Sequence, residues 1–92
     1  MTSGSTAEGE FVVGAELGLH ARPAGRFVSL AARFKADIEV GSGAEWVNGE
    51  SVLSILSLAA ARGTVLRIRA TGPDADRAVQ DLGALLESAE SD

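Results

Sequence analysis

Apolar residues recur along this chain with two different periods, and the switches between them mark out its elements. Glu10 to Ala15 alternates weakly, with Phe11, Val13 and Ala15 on one side, the pattern of a strand buried on one face. Gly14 blurs where that strand stops. From Ala21 the period lengthens. Ala24, Phe27, Val28 and Ala31 recur at helical spacing and predict an amphipathic helix reaching about Phe34. Asp37 to Val40 alternates acidic with β-branched residues, and Gly41-Ser42-Gly43 turns the chain into a short strand around Trp46 and Val47. Asn48-Gly49 closes that hairpin. Ser51 to Ala61 reads as a second helix, with Gly63 as its stop. Thr64 to Thr71 sets Leu66, Ile68 and Ala70 against Val65, Arg67 and Arg69, the clearest strand of all. After Gly72-Pro73-Asp74, residues Ala75, Ala78, Val79, Leu82, Leu85 and Leu86 form one stripe of a last helix.

The order is therefore strand, helix, strand, strand, helix, strand, helix. One sheet carrying all its helices on a single face buries every stripe, which predicts an α+β open-faced sandwich. With 92 residues, 46% of them hydrophobic, the chain can support one core and one domain. That domain is expected over residues 9–92, behind a disordered lead-in at residues 1–8 that is rich in Ser, Thr and Gly.

Composition narrows the chemistry. Cysteine is absent, which removes disulfides, thiol catalysis and the commonest structural zinc sites together. The opening MTSGSTAEGE has neither a basic n-region nor an apolar run, and Arg62, Arg67 and Arg69 interrupt the most apolar later stretch. A soluble, cytoplasmic protein is expected. The net charge of −5 argues against nonspecific nucleic-acid binding. Its distribution says more than its total: no acid occurs between Leu17 and Ala36, where Arg22, Arg26, Arg33 and Lys35 all lie. Such a patch is either a solvated helix face or a surface for an anionic ligand or an acidic partner.

The informative stretch is Gly18-Leu19-His20-Ala21-Arg22-Pro23-Ala24, which holds the only histidine at a loop-to-helix junction. The first amides of a helix have no intrahelical acceptor, and the dipole is positive there. A phosphoryl group on the imidazole could accept hydrogen bonds from the Ala21 and Arg22 amides, as anions do at helix starts. Arg22 adds a planar donor fork suited to phosphate oxygens. Pro23 loses little by lacking an N–H in the first turn, and Gly18 allows close approach. A lone histidine before a helix is commonly just a cap or a surface residue; beside Arg-Pro, phosphate handling becomes an equal reading.

Gly18 to Ala24 resembles the active-site signature of the HPr family, the histidine-containing phosphocarriers of the bacterial phosphoenolpyruvate-dependent phosphotransferase system. Phe27-Val28, Asn48-Gly49-x-Ser51, Gly63-Thr64-Val65 and Gly72 also fall at family-like spacing, so the resemblance runs from about residue 9 onward. It implies a four-stranded antiparallel sheet covered by three helices. It also implies that phosphorylated enzyme I phosphorylates His20 on Nδ1, with Arg22 stabilising the group, and that a IIA component receives it. Such a protein is a carrier and not an independent catalyst. No metal or cofactor is needed, and a monomer is expected.

Val52, Leu53, Ile55, Leu56 and Leu58 cannot all face one core, and exposed apolar clusters mark interaction sites. The resemblance places Ile55, Leu58 and Ala59 inward. It leaves Val52, Leu53 and Leu56 beside His20 for partners, with Arg26 nearby. It also raises Ser51, an ordinary helix N-cap by its position, as a residue that a dedicated serine kinase modifies in some bacteria. Three residues depart from the pattern: Glu50 where a basic residue is common, Leu17 where a polar one is frequent, and Ala59 in place of a usual glycine. Two other roles stay open. One is a carrier in a regulatory phosphorelay, of the nitrogen-linked or dihydroxyacetone kinase type. The other is a non-catalytic binding module controlled through Ser51.

Overall fold

A computed structural model describes residues 5–88; residues 1–4 and 89–92 lie outside the described part. Strand β4 (Val65–Gly72) is the hub of the sheet, because it combines the strictest alternation with partners on both sides. Leu66, Ile68 and Ala70 are fully buried beneath the helices, while Arg67 and Arg69 lie on the opposite face. It pairs antiparallel with β1 (Ser5–Val12) and with β2 (Asp37–Ser42), and β2 pairs with β3 (Glu45–Asn48), giving the order β1-β4-β2-β3. The helices are α1 (Ala21–Ala31), α2 (Val52–Leu56) and α3 (Ala75–Glu87). The expected open-faced sandwich and its element order are what the chain adopts.

Strand β1 starts earlier than its hydrophobicity suggests. Residues 5–8, expected to be disordered, pair with Gly72 through Arg69. The inward positions at this end of β1 are Ala7 and Gly9, too small to register as an apolar pattern. Outward, Glu8 stands across from Arg69 and Glu10 across from Arg67, opposite charges on neighbouring strands. The strand also stops at Val12, although Val13 and Ala15 are 1% and 2% exposed. Beyond Val12 the chain leaves the ladder while staying in the core.

Both earlier helices are shorter than expected. Helix α1 ends at Ala31, and Arg33 and Phe34 follow in tight i→i+3 turns onto Leu30 and Ala31. Helix α2 covers five residues only; Leu58 and Ala59 then bond back to Ile55 and Leu56, again at i→i+3. Its continuation through Ala59-Ala60-Ala61, strong helix formers, gives way to a tertiary contact described below.

On the uncovered face, the Trp46 ring lies under two guanidinium groups, Arg69 at 3.9 Å and Arg67 at 4.5 Å from its centroid. Arg69 also pairs with Glu39 at 2.8 Å, and Arg67 donates to the Gly43 carbonyl. These contacts roof the sheet where no helix does. No helix among the described residues is long and apolar enough to cross a membrane.

The buried stripe of α3 comprises Ala75, Ala78, Val79, Leu82, Gly83 and Leu86, with Leu85 only half-buried. Gly83 is there because Phe11 leans against the helix: a β-carbon at residue 83 would sit 2.1 Å from Phe11 Cε1. Helix propensity favours alanine by about 1 kcal/mol, whereas overpacking costs about 1–3 kcal/mol. The clash should win. Gly83→Ala is expected to lower the melting temperature by roughly 4–8 °C. Equal or higher melting in a thermal scan would show that the Phe11 ring swings aside freely.

Candidate functional site

His20 is the N-cap residue of α1, with extended backbone (φ −84°, ψ −169°). Its carbonyl accepts the first helical hydrogen bond, from the Ala24 amide at 3.0 Å, and its side chain makes no capping hydrogen bond. The imidazole is therefore not employed as a cap. It is half-buried in a shallow hollow formed with Leu17, Leu19, Leu56 and residues 59–61. The amides of Ala21 and Arg22 precede the first i→i−4 bond, and Pro23 has no N–H to offer.

Two buried anchors hold the histidine at the surface. Leu19, on one side, is 6% exposed, and its amide donates to the Ala60 carbonyl at 2.9 Å. Pro23, on the other, is fully buried in the first turn of α1. Between them His20, Ala21 and Arg22 have nowhere to go but outward. Gly18 makes this possible: its φ is +78°, and a β-carbon there would lie 2.6 Å from the Ala60 carbonyl oxygen. The loop is tightened further by Gly18 N–H donating to Ala15 and His20 N–H donating to Gly18, both at 2.9 Å.

Arg22 and Arg26 are exposed, and with Arg33 they line a groove along α1 that also includes Gly25, Ser29, Leu30 and Leu85. Three of the four cations of the basic stretch, Arg22, Arg26 and Arg33, thus share one groove, whose end at Ala21 and Arg22 follows His20 in the chain; Lys35 does not line it.

Helix α2 flanks the other side. Leu53 is 80% exposed, Val52 and Leu56 are half-buried, and Leu56 shares the hollow with His20. Of the residues expected inward, Ile55 is fully buried but Leu58 is only half-buried and Ala59 is exposed. The early end of the helix is the reason, because a left-handed turn at Ala59 (φ 50°) carries the chain away from the helical face. Ser51 is the N-cap of α2, its hydroxyl accepting the Ser54 amide at 3.2 Å. Glu50 accepts the Ile38 amide at 3.2 Å, so this acid ties the α2 entry to β2 just beyond the end of β3.

Two participants have no periodic signature. Leu17 is 75% exposed and borders the hollow; its signal is an apolar residue between Glu16 and Gly18 that no stripe claims. Residues 59–61 look like ordinary helix and serve instead as the platform for the loop. No group of three or more His, Cys, Asp or Glu that could hold a metal occurs among the described residues.

Residues 7–88 match the family model described as the PTS HPr component phosphorylation site. The chain is also 41% identical over 80 residues to a phosphocarrier protein HPr of Vibrio cholerae, spanning 87% of this chain and 94% of that one. The crystal structure of a phosphocarrier protein HPr from Bacillus anthracis superposes with a TM-score of 0.85 at 36% identity, covering 89% of this chain and 98% of that one. The chain belongs to the HPr family. A multiphosphoryl transfer protein of Haemophilus influenzae is 36% identical over 88% of this chain and 17% of its own length. This is the phosphocarrier family of the phosphotransferase system, and the chain has the four-stranded sheet and three helices of HPr.

In this HPr-type site Gly18 should be intolerant of any side chain. Gly18→Ala adds a left-handed backbone penalty of about 1–2 kcal/mol to a clash with backbone that cannot yield cheaply. A loss of about 2–3 kcal/mol in denaturant unfolding is expected. An unchanged midpoint would mean that the loop does not rest on Ala60.

Proposed function

We propose that His20 accepts a phosphoryl group on Nδ1 from phosphorylated enzyme I and passes it to a IIA component of a sugar phosphotransferase system. The observation that carries this reading is the placement of the imidazole. It stands at the start of α1, half-exposed and not used as a cap, with the Ala21 and Arg22 amides at its side. The lone pair of the neutral ring attacks phosphorus, and the bond to the donor residue breaks as the Nδ1–P bond forms. The oxygens then accept from the Ala21 and Arg22 amides while the Arg22 guanidinium balances their charge. Onward transfer is the same displacement with the acceptor as nucleophile. No step needs a metal or a cofactor.

Docking falls to the surface around the ring. Val52, Leu53 and Leu56 offer the apolar centre, and Leu17 adds to it in the hollow that it shares with His20 and Leu56. Arg22 and Arg26 supply the positive rim, which suits transient association with acidic partners. The likeness to a multiphosphoryl transfer protein fits a module that works wherever a phosphoryl donor and acceptor come within reach.

Mixing the purified protein with enzyme I and phosphoenolpyruvate is expected to raise its intact mass by one phosphoryl group, in acid-labile form. His20→Ala should abolish the gain, and label that persists in this variant would overturn the assignment. Separately, Leu53→Glu should slow phosphoryl acceptance about tenfold at limiting enzyme I while leaving the melting temperature unchanged. Unaltered kinetics would remove α2 from the docking surface.

A further inference from the structure

Among the described residues, Ala59 is the one non-glycine residue with positive φ, at 50°. Nothing about its own side chain explains this, since Ala59 is exposed and a glycine would sit there without strain. Its position in the chain is more telling. The Ala59 amide donates to the Leu56 carbonyl at 3.0 Å, closing the end of the docking helix. The carbonyl of the next residue, Ala60, receives the Leu19 amide at 2.9 Å, and Leu19 is joined directly to His20. A single strained residue therefore sits between α2 and the proposed phosphoryl acceptor.

We propose that Ala59 is a positioning residue for His20, its left-handed strain keeping the Leu19–Ala60 link weak enough for the His20 loop to shift when a partner seats on α2. This rests on the phosphocarrier reading, which requires one ring to fit the sites of both a donor and an acceptor. Strain of this kind persists only where the surrounding structure over-determines it, and it clusters where proteins move or react. Release is built in: if residue 59 leaves the left-handed region, the Ala60 carbonyl rotates off the Leu19 amide. A second tie between the same two loops does not pass through Ala59. Val13 N–H donates to Thr64 at 2.9 Å and Gly63 N–H to Val13 at 2.8 Å, so the loop can shift without the sheet opening.

The test compares wild type with Ala59→Gly by amide hydrogen exchange and by single-turnover phosphoryl transfer from enzyme I. Removing the strain should slow exchange at Leu19 about two- to fivefold, with Val13 and Gly63 unchanged. The rate constant for transfer within the complex should fall by a similar factor, with no change in the enzyme I concentration giving half-maximal rate. Ala59→Val, more strained, should move Leu19 exchange the other way. Equal slowing at Leu19, Val13 and Gly63 would mean a uniform gain in stability and would overturn the proposal, as would transfer that is unaffected by glycine. If wild type takes up no phosphoryl group at all, the carrier reading fails on its own, and the exchange data still decide whether Ala59 controls the link.

Discussion

The hydrogen bond from the Leu19 amide to the Ala60 carbonyl, 2.9 Å long, is the constraint from which the site follows. A backbone amide in a buried stretch has to find an acceptor, and Leu19 is 6% exposed. With the Leu19 side chain committed inward and its amide committed to Ala60, the following residue is forced to the surface at the start of α1. Gly18 has to be glycine because the Ala60 carbonyl occupies the space a β-carbon would need. Residues 59–61 cannot continue α2, because a helical Ala60 carbonyl would point along the helix axis instead of toward Leu19.

This tie is an extension of the sheet more than a feature of the helices. Strands β1 and β4 end their ladder at Val12 opposite Val65. The next residues, Val13, Gly63 and Thr64, exchange two further hydrogen bonds outside the regular register. Leu19 and Ala60 add another, so the two loops that carry the nucleophile candidate and the end of α2 are tied together at both of these places. Under the proposed function, helix α1 then supplies field and amides, and α2 supplies apolar contact. The position of His20 itself is inherited from the place where the β1–β4 ladder ends.

How much of this could be read beforehand depends on what kind of force sets each part. Elements fixed by burial were legible: the 2-residue alternation of Leu66, Ile68 and Ala70 and the helical stripe of Ala78, Val79, Leu82 and Leu86 are both observed. The place of His20 at the start of α1, with Arg22 exposed in its first turn, was legible because both lie in one short stretch at a helix-start signal. What failed was set by polar or local contacts that leave no period. Residues 5–8 form strand through small inward residues and cross-strand charge, neither of which looks hydrophobic. Ala59-Ala60-Ala61 has high helix propensity, yet one tertiary hydrogen bond and one left-handed turn redirect it. Leu17 is apolar and exposed, so its place beside His20 emerges only once the loop is folded.

A carrier has to hold its cargo without keeping it, and the start of α1 has the composition for moderate anion binding. A helix start normally presents a set of amides lacking intrahelical acceptors. Here Pro23 deletes the third, and the Ala24 amide is already committed to the His20 carbonyl. Two amides therefore face the position of a phosphoryl group on the proposed acceptor, where a glycine-rich phosphate cradle would offer several more. Arg22, being exposed, works in high dielectric until a partner covers it, and its attraction for phosphate oxygens grows as water is excluded. On this reading the strongest stabilisation arises in the docked complex, when the group is in flight. On the same reading the isolated protein would hold its phosphoryl group loosely, which is what would allow the next partner to take it.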